Sequence, residues 1–126
     1  MQAFIFLLFA SSCHCVMNFG RLQSAGVKGL VYCKGKPAKG VSVKLYEKEV
    51  MFDRLMDKGK TDKYGAFKLW GRAREWSDIE PVLYIYNKCG RRFARKVTID
   101  IPSTYITHFG QKVKFYDVRK VELSKS

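Results

Sequence analysis

The chain has 126 residues, 24 Lys or Arg against 11 Asp or Glu, and a formal charge of +13. Hydrophobic residues make up 47% of it, with nine Phe, seven Tyr and two Trp. That excludes a disordered polyelectrolyte and leaves one domain with its own core, whose charge favours anionic polymers or membrane surfaces.

In chain order, the first element is AFIFLLFA, residues 3–10. Eight apolar residues fall well short of the roughly 20 that a membrane span needs. The run lacks period-2 alternation, stands at the extreme N-terminus and is followed by Ser11 and Ser12. It reads as the apolar part of a signal peptide over residues 1–15, ending between 12 and 20, although the usual basic start is missing. The expected compartment is therefore extracellular and oxidising. Cys13, His14 and Cys15 superficially resemble a metal cluster, but zinc wants four ligands and no second Cys/His pair stands nearby. They read as junction residues, and neither a metal nor a cofactor is expected.

The remainder reads as short strands with turn punctuation. A strand near 27–33 leads into KGKPAKG, a tight connection. Val41, Val43 and Leu45 alternate with Ser42, Lys44 and Tyr46, which predicts a half-buried strand over 41–47. Residues 61–65, TDKYG, have one glycine and no helix after them, so they form a turn and not a phosphate loop. Strands follow at 66–70 and 82–88, the latter (VLYIYNK) apolar on both faces as a central strand is. Val97, Ile99 and Ile101 alternate with Lys96, Thr98 and Asp100 until Pro102 stops them. Residues 113–123 make one long or bulged strand, because the parity of Val113 and Phe115 does not reach Val118. Only 72–79 has room for a helical turn. The pattern predicts an all-β domain over 21–126, a sandwich of two antiparallel sheets with seven or eight strands.

These residues carry a resemblance. VKGLVYCKGKPAKGVSVKLYE (27–47), LMDKGKTDKYGAF (55–67), EWSDIEPVLYIYNKC (75–89), RKVTIDIPSTYIT (95–107) and FYDVRKVEL (115–123) together resemble the nematode transthyretin-like family, in family order and over nearly the whole domain. The resemblance implies the transthyretin-like (prealbumin-like) sandwich and secretion. It also implies a disulfide between Cys33 and Cys89, the positions where the family places cysteines in these strands. Such a bridge needs the two Cα atoms within about 6 Å. It would gather two acid-free basic loops at one end: Lys34, Lys36 and Lys39 after one cysteine, Arg91, Arg92, Arg95 and Lys96 after the other.

Catalysis finds little support. Outside the leader the only histidine is His108, so no histidine triad can be assembled, and the C-terminal tail of the superfamily's hydrolases is missing. The pairs Glu47/Glu49 and Asp78/Glu80 read as ordinary loop or strand-edge charges. The expected function is a secreted, non-enzymatic binding protein. Its partner would be an extracellular protein or an anionic surface, a lipid headgroup or sulfated glycan, met at the basic end; nucleic acid is disfavoured because only Phe93 interleaves with these loops. The alternatives are a carrier of small hydrophobic ligands in an oligomer channel and, less favoured, a superfamily hydrolase. Val50, Met51 and Phe52 either pack on their own domain edge or offer an apolar contact.

Overall fold

The computed structural model describes residues 20–125. The leader and Cys13, His14 and Cys15 lie outside the described residues. Nine strands follow in order: β1 (Arg21–Cys33), β2 (Lys36–Pro37), β3 (Ser42–Glu47), β4 (Arg54–Lys60), β5 (Ala66–Glu75), β6 (Pro81–Asn87), β7 (Arg95–Asp100), β8 (Thr107–His108) and β9 (Phe115–Glu122). Seven are of ordinary length; β2 and β8 have two residues each.

Two sheets form a sandwich. One is ordered β4-β3-β6-β7, antiparallel throughout. The other is built on β1, which pairs with β2, β5 and β8 antiparallel and with β9 parallel. The strand at 82–88 is central as expected, with Val82, Leu83, Tyr84 and Ile85 all buried between β3 and β7. The inner faces meet through Val27, Val31, Val43, Leu45, Phe67, Leu69, Leu83 and Ile85, the alternating positions of four strands.

Three features differ from the sequence reading. Strand β1 begins at Arg21, six residues early, because Gln23 and Ala25 continue the inward parity of Val27. Strand β4 has no clean alternation to mark it: a register shift at Leu45/Tyr46 places Met56 as an extra residue. The segment 72–79 holds no helical turn. Residues 72–75 belong to β5, where Ala73 faces in and Arg72 and Arg74 face out. The 3-10 turns lie instead at Ser103–Tyr105 and Leu123–Lys125.

The expected bulge is present in β9. Lys28 pairs with Asp117 and Leu30 with Lys120, so Val118 and Arg119 together face Gly29. A Cβ at Gly29 would collide with Val118 and the Arg119 carbonyl, which explains glycine there. Arg119 takes φ +63°, its N–H held 2.8 Å from Asp117 Oδ1.

Buried polar groups tie loops to this frame. Gln23 is wholly buried, its amide donating to the carbonyls of Ser77 (2.8 Å) and Glu75 (3.3 Å) and accepting from the Ile79 N–H (3.0 Å). One side chain thereby fixes the path from β5 to β6. Gln23→Leu strands the buried Ile79 N–H and is expected to cost about 2 kcal/mol by urea denaturation; a change below about 0.5 kcal/mol would show that water replaces the amide.

Candidate functional site

The two ends of the sandwich differ in charge. At one end lie the loops 34–41, 61–65 and 88–94 and the end of β9. Cys33, the last residue of β1, is bonded to Cys89, which follows β6, with Cα atoms 5.6 Å apart. Lys34 and Gly35 both take positive φ (+52° and +77°) to close the β1–β2 hairpin. The Lys34 ammonium lies against Gly90, so the basic loops do meet across the staple. Lys36 and Lys39 are exposed beside them, and so is Arg92. Arg91 reaches the Ser124 carbonyl at 3.4 Å, and Arg95 is half-buried opposite Asn87. Lys96 turns away, onto the outer face of the four-stranded sheet, its Nζ 4.2 Å from the centre of the Tyr84 ring.

Two acids share this end: Asp62, which holds the 61–65 turn, and Glu122, which the sequence pattern did not place here. The Glu122 carboxylate accepts the N–H groups of Lys34 (2.8 Å) and Gly35 (2.9 Å), together with the Ser124 hydroxyl (2.6 Å) and N–H (3.2 Å). Donation by Ser124 and by the hairpin amides holds its pKa down at about 2. Two successive N–H groups in positive-φ conformation make an anion-holding concavity, and Glu122 fills it. The basic surface continues from here along the outer face of the β1 sheet. Lys120 covers the Tyr32 ring at 4.4 Å, and an open groove of about 900 Å³ beyond it is lined by Lys28, Lys60, Lys68, Lys120 and Arg119, with Asp62 and Asp117 among them.

The opposite end carries the acids. Glu47, Glu49 and Glu75 bring one carboxylate oxygen each within 4.8 Å of the others. Reading Glu47 as an ordinary strand-edge charge is therefore wrong: it is only 2% exposed. Its parity is that of Val41, Val43 and Leu45, so β3 points it into the sandwich. Burial first, then the neighbouring Glu75 and Glu49, push its pKa up to about 7, with Arg54 opposing. Arg54 Nε lies 3.2 Å from Glu49 and Nη2 3.9 Å from Glu75. Above the cluster opens a pocket of about 510 Å³, with Asp78 and Glu80 at its sides. Val50, Met51 and Phe52 form its rim and are 101%, 86% and 65% exposed, so they do not pack onto their own domain.

On the outer face of the four-stranded sheet Tyr46, Tyr84 and Tyr86 form an aromatic ladder. The Tyr84 hydroxyl donates to Asp53 at 2.7 Å, and that bond, more than burial, raises its pKa to about 12. His108 is exposed; its backbone N–H donates to Gln111 Oε1 (2.7 Å) and its carbonyl accepts the Gln111 N–H (2.9 Å). Among the described residues no helix is long and apolar enough to cross a membrane.

Fold and staple together define a small two-sheet domain, cross-linked at its basic end. The profile of the transthyretin-like family matches residues 28–102. Transthyretin-like protein 5 of Caenorhabditis elegans is 38% identical over 131 residues, which is all of this chain and 93% of that protein. Transthyretin-like protein 2 of the same organism is 36% identical over 115 residues, covering 83% of this chain and 78% of its own. Transthyretin-like protein 46 is 38% identical over 109 residues, covering 82% and 61%. The chain belongs to the transthyretin-like family.

Proposed function

We propose that this is a secreted, non-enzymatic binding protein that docks through its basic end onto phosphate or sulfate groups displayed on cell surfaces. The observation that carries this reading is the staple: Cys33–Cys89 holds two basic turns together, with the Lys34 ammonium against Gly90. Gathered like charges repel in isolation and are relieved beside an anionic partner. The lysines of the adjoining groove extend the same surface over the β1 sheet. Family membership and the disulfide support an extracellular setting, since disulfides persist in oxidising compartments.

Binding to vesicles containing phosphatidylserine and to immobilised heparin, titrated with salt, tests this. Each basic residue at an anionic surface contributes about 1 kcal/mol, so the triple variant K34Q/R91Q/R92Q should bind on the order of 100-fold more weakly. The two supports separate lipid phosphate from glycan sulfate. Failure to bind either at low salt, or unchanged binding by the triple variant, refutes the reading. A tetramer by sedimentation that takes up a hydrophobic dye would favour the carrier instead.

A further inference from the structure

We propose that Glu47, Glu49 and Glu75 form a calcium-binding site at the end of the sandwich opposite the staple. Three carboxylates from three stretches of chain converge here: the end of β3, the β3–β4 loop and the end of β5. The donors are all hard oxygens, which suit calcium or magnesium and not the softer transition metals. Two oxygens on one calcium, each bound at about 2.3–2.6 Å, lie no more than about 5 Å apart. The three carboxylates already satisfy this, with mutual separations within 4.8 Å. Magnesium binds at about 2.0–2.1 Å and needs a tighter, octahedral set.

Glu47 supplies the second and deciding observation. Its side chain is buried, it lines the pocket, and its Oε1 receives no N–H donor from the protein; the Glu75 carboxyl beside it can offer only a shared proton. A buried carboxylate oxygen left unpaired is costly, and a cation is one of the few groups that offset the cost. Arg54 does so only through space: its guanidinium sits on Glu49 and Glu75, and among the described residues no direct ion pair reaches Glu47. With all three carboxylates ionised, as a bound cation requires, and one guanidinium beside them, the cluster carries two negative charges, the complement of one divalent ion. Calcium takes six to eight oxygens, more than three carboxylates supply unless some bind through both oxygens. The open pocket above admits water for the remainder. The site is independent of the basic end, so either proposal can fail without the other.

The test uses the purified chain stripped with EDTA and calcium chloride alone as the probe. Equilibrium dialysis with radioactive calcium should show one saturable site per chain. Its dissociation constant should fall near 10⁻⁴–10⁻³ M, on the order of other extracellular modules. Thermal unfolding should shift upward with calcium, and less with magnesium at equal concentration. E47Q, nearly isosteric, should weaken binding at least about tenfold, as should E75Q. Glu75 is half-buried, so E75Q carries the test if E47Q fails to fold. E122Q, at the other end, should bind calcium as the parent chain does. The proposal is overturned by the absence of saturable binding up to about 10 mM, by unchanged binding in E47Q and E75Q, or by equal responses to calcium and magnesium.

Discussion

The C33A/C89A variant is expected to lose about 4 kcal/mol of stability and to melt roughly 15–30 °C below the parent chain. The bridge joins residues 56 apart in sequence, so in the unfolded chain it closes a loop of more than half the described domain. Removing it returns that loop's freedom to the unfolded state, worth about 4 kcal/mol for a loop of this length. A domain of about 105 residues holds its fold by only about 5–15 kcal/mol, so the loss is a large fraction of the total. Local packing adds to it, because Cys89 belongs to the main core cluster and Cys33 packs against it. Urea and thermal unfolding of the double variant, with and without reductant, measure the effect. A loss under about 1 kcal/mol would mean that the unfolded chain is already compact around this loop.

Glu47 is expected to give the largest pH effect. With EDTA present, the parent chain should lose stability as the pH rises from about 4.5, the ordinary carboxyl value, through about 7, its value in the fold. The direction follows from linkage. The folded chain holds this proton more tightly than the unfolded chain, so folding is favoured while both keep it and penalised once both have lost it. The interval corresponds to a loss on the order of 3 kcal/mol, complete above about pH 7. E47Q cannot ionise and should show no such fall, so it should exceed the parent in stability at pH 8 and fall behind or match it at pH 4. Urea denaturation across pH 4–8 reads both curves. Parallel profiles would place the titration elsewhere. Glu122 acts in the opposite sense: its lowered pKa stabilises the fold above about pH 4.5, and that contribution fades as the pH falls towards about 2.

The sandwich was legible because alternation survives in β3 and β7, whose inner residues sit at every second position, and because β6 is apolar on both faces as a central strand is. Both bulged regions blur that signal. The extra Met56 hides β4, whereas the broken parity around Val118 announced the irregularity in β9 without giving its pairing. The parallel match of β9 to β1 leaves no local trace, since partners so far apart share no turn. The meeting of the basic loops followed from the cysteine pair, which the family resemblance supplied. Glu122 was invisible there because its approach depends on where β9 ends. Glu47 had a usable signal: it stands two residues beyond Leu45 on the buried parity of β3. A glutamate in that phase announces a buried carboxylate, and only the neighbouring strand end reveals that Glu75 waits beside it.

The strand β1 also decides when the molecule can form. Every other strand of its sheet pairs with it directly, and the last of them arrives late: Gly26 meets Phe115, and Tyr32 meets Glu122, across about 90 residues. Half the sandwich therefore stays an incomplete edge until nearly the whole domain is available. Pairings of such long range place a chain among the slow folders, in milliseconds to seconds, with β1 open meanwhile to any other extended segment. The cross-link at the far end of β1 shortens that search. A cell making this protein gains if the cysteines are joined before β9 docks, and a chain kept reduced is the one that will find the wrong neighbours.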